Sequence, residues 1–343
     1  MKRIYFQLFS LFVLSTLVSC HKNSIPVTQS GNWVTESQLN GPARSEAVSF
    51  VIGNFAYLGT GWDGLNTRYN DFWRYDPSNN IWSQVSSMPA GTERNSAIGM
   101  TISDKGYVGT GYNSAGFYLA DFYEFDPAAN AWSKKADFLG GARQEAVAFG
   151  IGNFGYAGTG FDGSNALKDF YKYDPETDSW SDIGFSGNKR WGAVTFLYNN
   201  KAYLVTGVNS GTAQTDFWVF NPASDTLKWS ELKHINNYSS DAYDDAYTTI
   251  ARWNGAAFVI GDFAYISTGE NGIYYTYTWQ YDFAQDLWNQ KTPFEGPPTT
   301  GAVGFNVAGL GFVGTGRSSP GQAGSSDYLR QFQPLVTENP NDN

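Results

Sequence analysis

Five arginines recur at matching places in this chain, Arg44, Arg94, Arg143, Arg190 and Arg252. A guanidinium is the side chain best shaped to grip a carboxylate through paired hydrogen bonds. If each begins an extended strand, the residue two positions along shares its side. Glu46 and Glu145 then neutralise Arg44 and Arg143, whereas Arg94, Arg190 and Arg252 face Ser96, Gly192 and Asn254 and keep their charge. Several such cations near one axis repel each other and favour an incoming anion. Trp62, Tyr112 and Phe161 each follow a Thr-Gly pair and offer stacking surfaces for a sugar, while Glu270 and Arg317 hold the same place in later copies. The chemistry expected first is binding of an anionic carbohydrate or an acidic peptide. A second reading has arginine holding the carboxylate of an acidic sugar while Glu46, Glu145 or Glu270 moves a proton.

Composition removes several rivals. The sequence holds one cysteine and two histidines among 343 residues, too few for a disulfide framework, a thiolate metal centre or a histidine-rich one. The formal charge of -10, with no lysine- or arginine-rich block, argues against a nucleic-acid partner. No cofactor is expected. An aromatic content of 17% implies a folded chain with much apolar area to bury.

The elements that must position these residues are repeats. Tyr57-Leu58-Gly59-Thr60-Gly61 returns at Tyr107, Tyr156, Tyr203, Tyr265 and Phe312 at a period of about 50 residues. A tryptophan late in each unit, Trp33, Trp82, Trp132, Trp180, Trp229 and Trp288, keeps nearly the same period. Within one unit, the runs Ala47 to Ile52, Phe55 to Gly59, Asp71 to Tyr75 and Ile81 to Val85 read as four short strands joined by turn residues. Six such units make the arithmetic of a propeller. The two markers are out of phase: Trp33 precedes the first Thr-Gly strand and no tryptophan follows the last. The expected architecture is therefore all-β and six-bladed, with Asn32-Trp33-Val34 completing the last blade. The inter-blade core takes the late tryptophans, and Trp191 and Trp253, one residue after their arginines, are expected to point into packing as well. The propeller is expected over residues 32–334, followed by a tail at 335–343.

Lys2 and Arg3 precede an apolar run from Ile4 to Val18 that is too short for a membrane span and reads as a signal peptide over residues 1–20. Its end, Leu17-Val18-Ser19-Cys20, resembles a bacterial lipobox. That resemblance implies lipidation of Cys20, a tether at 21–31, and anchoring to a membrane of the bacterial envelope facing periplasm or surface. The longest insertion, about Lys233 to Thr249, is expected at the arginine-bearing mouth. Its Asp241, Asp244 and Asp245 match no defined calcium loop and read as solvated turn acids.

The repeated arginine, the glycine-ended second strand, the segment Asp71-Phe72-Trp73-Arg74-Tyr75-Asp76-Pro77 and the late tryptophan together make the chain similar to kelch-repeat proteins of the galactose-oxidase-like kind. Galactose oxidase itself is a copper enzyme whose chemistry needs histidine ligands and a tyrosine joined to cysteine. With its lone cysteine in the leader, this chain is not expected to share that activity. The chain is also similar to six-bladed kelch sialic acid mutarotases of the bacterial envelope, although no local motif carries their active residues onto positions here. A third expectation is a scaffold that joins a protein partner in an envelope complex.

Overall fold

A computed structural model describes residues 30–339, apart from 226–227, 238–239 and 321–323. The leader, Cys20 and most of the expected tether lie outside the described residues. Six four-stranded antiparallel sheets make up the fold; five run in chain order from an inner to an outer strand, and the sixth takes its outer strand from the N-terminal end of the described chain. Blade one consists of Val48–Ile52, Phe55–Gly59, Phe72–Asp76 and Ile81–Val85. The inner strands of the other blades are Ile98–Ile102, Val147–Ile151, Val194–Tyr198, Ala256–Ile260 and Val303–Val307. Each inner strand touches the next, and the sixth touches the first, so the ring is closed.

The period of two in each inner strand explains the closure. In blade one, Val48 and Phe50 are buried against neighbouring blades, while Ser49 and Val51 line the axial cavity. Small residues, Ala47, Ala97, Ala146, Ala193 and Gly255, ring that bore near its upper end and let six sheets approach the axis. The aromatic side chains fill the wedges between blades. Phe50, Tyr57 and Phe72 of blade one, for example, share a core with Val108 and Phe125 of blade two, and Phe72 meets Trp132 at 4.8 Å.

The seam is the expected one. Ser30–Thr35 pairs antiparallel with Leu329–Thr337, the third strand of blade six, with Trp33 opposite Phe332. Pairing extends to Ser30 and Thr337, so the closing sheet runs past the expected boundaries at 32 and 334. Trp33 is wholly buried, 4.9 Å from the Phe332 ring and 5.1 Å from that of Phe294, and its indole N–H donates to the Thr292 carbonyl. Trp33→Ala is expected to cost about 3–5 kcal/mol, the usual range for a large aromatic lost from a core. Denaturant unfolding checks it. A loss below about 1 kcal/mol would mean that the N-terminal strand does not hold the ring shut.

Candidate functional site

The Thr-Gly pair that ends each second strand has a structural role. Thr60, Thr110, Thr159 and Thr206 have φ of 58°, 57°, 60° and 67°, a left-handed turn. Each threonine carbonyl accepts a hydrogen bond from its blade's arginine: Arg44 to Thr60 at 2.9 Å, Arg94 to Thr110 at 2.9 Å, Arg143 to Thr159 at 2.8 Å and Arg190 to Thr206 at 3.0 Å. The same guanidiniums reach an aspartate at the head of the third strand. Arg44, Arg94 and Arg143 clasp Asp71, Asp121 and Asp169 with both terminal nitrogens, and Arg190 pairs with Asp216.

These arginines are at most 1% exposed, and they do not converge on an opening. The expectation that Arg94, Arg190 and Arg252 carry free charge at the mouth is therefore corrected, as is the pairing of Arg44 with Glu46 and of Arg143 with Glu145. The physical reason is local. Glu46, Ser96, Glu145 and Asn254, two residues after their arginines, have φ between 53° and 55°. A left-handed residue breaks the alternation that would have put the pair on one side. Arg252 is buried as well, and without a carboxylate: its hydrogen bonds go to the carbonyls of Thr249, Ile250, Thr268 and Tyr277. Burial pulls its pKa down to about 9, against the opposing influence of Tyr275 and Tyr277.

The left-handed residues make a ring of their own. The amide of Glu46 donates to Gly301, Ser96 to Glu46, Glu145 to Ser96, Gly192 to Glu145, Asn254 to Gly192 and Gly301 to Asn254, all at 2.8–3.0 Å. Six backbone hydrogen bonds thus close a circle about the propeller axis. Its side chains line a small axial cavity of about 150 Å³, where Glu46, Ser96, Glu145 and Asn254 meet above the alanine layer.

Two of the carboxylates there differ sharply. Glu46 is fully engaged: one oxygen pairs with Arg317, and the other accepts from Ser96 Oγ at 2.7 Å and from the Asn95 side-chain amide. Asn95 in turn accepts from Arg68. The Glu145 Oε2, by contrast, is shielded from solvent and has no hydrogen-bond partner. Burial, reinforced by the negative charges of Glu46 and Glu270, pushes the Glu145 carboxyl up to about 8, with Arg317 and Asn254 pulling the other way. Glu145 is therefore largely protonated at neutral pH. Arg317 loses stability of its charge to burial, yet Glu46 and the Tyr274 hydroxyl outweigh this and hold it above its ordinary value. Glu270 accepts a hydrogen bond from Thr300 Oγ1 at 2.8 Å.

Aromatic walls rise from this floor. The residue after each Thr-Gly pair bridges the residue after its own blade's arginine position: Ser45 with Trp62, Asn95 with Tyr112, Gln144 with Phe161, Trp191 with Val208, Trp253 with Glu270 and Thr300 with Arg317. Trp62, Tyr112, Phe161, Glu270 and Arg317 are thus brought to one mouth, as expected. Trp191 and Trp253, expected inside the packing, are instead half-buried in this wall, because neighbouring residues point to opposite sides and it is the arginine that faces inward. Ring contacts run from Tyr112 through Tyr118 and Phe161 to Trp191 and Trp253, at centroid separations of 5.1–6.4 Å. Arg68 lies 5.0 Å above the Tyr112 ring and Arg317 5.6 Å from that of Trp62. Arg68 carries no repeat signal in the sequence, because its place, bridged to Trp62 as Tyr118 is to Tyr112 and Ala166 to Phe161, holds a different residue type in each of these blades.

The long insertion is also placed differently. It packs on the flank of blade five: the Tyr247 hydroxyl accepts from the Trp288 amide and donates to Asp244, and Asp245 accepts from the Gln290 amide at 2.9 Å. Both Trp288 and Gln290 belong to that blade's outer strand, Leu287–Lys291. Among the described residues, no group of three or more His, Cys, Asp or Glu side chains is placed to hold a metal ion.

Residues 61–89 and 160–184 match the Kelch motif. No curated protein matches the chain. Among solved structures, one described as "Structure of YjhT" aligns with a TM-score of 0.68 at 17% identity, over 85% of this chain and 95% of that one. At that identity the likeness concerns the fold. The chain is an all-β, six-bladed propeller bearing kelch motifs.

Proposed function

We propose that the axial mouth binds an acidic sugar and speeds exchange between its anomers. The observation that carries this reading is Glu145, whose carboxyl keeps one shielded oxygen without a hydrogen-bond partner and has a raised pKa, at the floor of the axial cavity near Arg317 and the Glu46 carboxylate. Catalytic acids are commonly tuned by such environments, with neighbouring carboxyls held in opposite states.

The steps use this chain's groups alone. Trp62, Tyr112 and Phe161 cover the apolar faces of the sugar ring, and Arg317 with Arg68 offers charge to its carboxylate. Glu270 takes the proton of the anomeric hydroxyl as Glu145 gives its own proton to the ring oxygen, and the bond from that oxygen to the anomeric carbon breaks. The open-chain carbonyl turns over, the ring oxygen attacks its other face, and both protons return. Nothing is oxidised or reduced. Glu46, locked by Arg317, Asn95 and Ser96, holds Arg317 in place. A peptide bearing several carboxylates suits this mouth less well than a sugar bearing one, because the repeated arginines are buried in the fold and Glu46, Glu145 and Glu270 stand at the opening.

The test is NMR of freshly dissolved single anomers of N-acetylneuraminic acid and galacturonic acid. Approach to anomeric equilibrium faster than in buffer is expected with catalytic amounts of protein. Buffer rates for every acidic sugar tried would overturn the reading.

A further inference from the structure

The fourth blade leaves its second strand differently from the others. Its exit loop folds into a two-stranded hairpin, Val208–Asn209 against Thr212–Ala213. This hairpin and the exit loop of blade three enclose a cavity of about 530 Å³. Phe161 and Trp191, which belong to the aromatic wall of the mouth, also form one side of this groove. Ser164, Asn165, Lys189 and Asn209 supply its polar groups. The groove therefore begins where the mouth ends, and a ligand can pass from one to the other along a continuous aromatic surface.

We infer that this groove is a second sugar subsite, holding the next unit of an acidic oligosaccharide whose reducing end lies over Glu145. The inference rests on the reading of the mouth given above. Anomer exchange needs a free anomeric hydroxyl, so any further sugar has to leave from another carbon, away from the axial floor and toward the rim. The groove's volume falls within the range of small-ligand sites. Two aromatic rings suit the C–H faces of a pyranose, and two amides and a hydroxyl suit its hydroxyl groups. The ammonium of Lys189 favours a carboxylate on this second unit, so the substrate class is a reducing oligosaccharide of acidic sugars, at least two units long.

Titrations of galacturonic acid against digalacturonic acid, and of N-acetylneuraminic acid against its dimer, test this by calorimetry. With the unaltered protein, one dimer is expected to bind at least about tenfold more tightly than its monomer, a difference of about 1.4 kcal/mol. Lys189→Ala and the groove-filling Ser164→Trp are each expected to bring the dimer back toward monomer affinity and to leave the monomer unaffected. Both side chains are exposed, so neither change threatens the fold. Equal binding of monomer and dimer, or variants that weaken both alike, would remove the subsite and leave the mouth standing. Binding of neither monomer nor dimer in both pairs would remove the reading of the mouth and the subsite with it.

Discussion

Glu145→Gln is expected to slow catalysed anomer exchange by about 10²–10⁴-fold, the span associated with one general acid. The amide keeps the shape of the side chain and does not touch the backbone ring, whose hydrogen bonds run through main-chain atoms. Substrate binding is therefore expected to change little, and the loss to fall on kcat. In the unaltered protein the donor works only while protonated, so activity should fall as pH rises through about 8, where the Glu145 carboxyl ionises. The residual activity of the Gln variant should lack that limb. A variant with undiminished rate, or a parent protein whose activity persists unchanged above pH 9, would exclude Glu145 as the acid.

Stability offers an independent reading of the same group. Its folded pKa is raised, so between the ordinary carboxylate range and about 8 the folded protein holds a proton that the unfolded chain releases. Unfolding free energy must then decline as pH climbs across that window, and level off above it. Every tenfold difference in proton affinity between the folded and unfolded chains is worth about 1.4 kcal/mol, and water in the mouth reduces the realised amount. Glu145→Gln should therefore gain on the parent protein as pH rises from 5 to 9, by up to a few kcal/mol. This places the site at odds with the fold that carries it, as expected where burial serves proton transfer.

How far the sequence could go depended on which distances mattered. Strands and blades came from periods of two and about fifty, both visible along the chain, and the offset between Trp33 and the last Thr-Gly pair was enough to locate the seam. Trp62, Tyr112, Phe161, Glu270 and Arg317 were legible because they follow a repeated marker by one residue. The arginines were misread because one residue per blade is left-handed, and four of the six residues at that place, Glu46, Ser96, Glu145 and Asn254, are not glycine. Gly192 and Gly301, at the same place in blades four and six, were the available hint. The true partners, Asp71, Asp121, Asp169 and Asp216, stand on another strand, where only the three-dimensional register brings them to the guanidinium. The tuning of Glu145 was equally hidden, since it depends on Glu46 and Glu270 arriving from different blades.

Asp71→Ala is expected to cost about 3–5 kcal/mol, because it strands a buried guanidinium without its carboxylate. Asp71 takes both Arg44 nitrogens, at 2.6 and 2.8 Å, and the Trp73 indole N–H at 2.8 Å. Burial works against its ionised form, yet Arg44 and Trp73 prevail and hold its pKa below the ordinary value. Its contribution is thus complete above the usual carboxylate range and fades as pH falls through the lowered folded value. Blade five shows what a guanidinium needs otherwise: Arg252 survives beside Tyr277 through extra bonds to the Thr249 and Tyr277 carbonyls, which blade one does not give Arg44. Blade six has lost both partners, carrying Thr299 and Tyr328 at the two positions, with Thr299 buried. The double variant Arg44→Met with Asp71→Leu should accordingly cost less than Asp71→Ala alone, since an apolar pair leaves no orphaned charge. Chemical denaturation of the two variants at pH 7 decides the point. Costs that simply add, or a mild Asp71→Ala, would mean that the carbonyl of Thr60 and water suffice to hold Arg44.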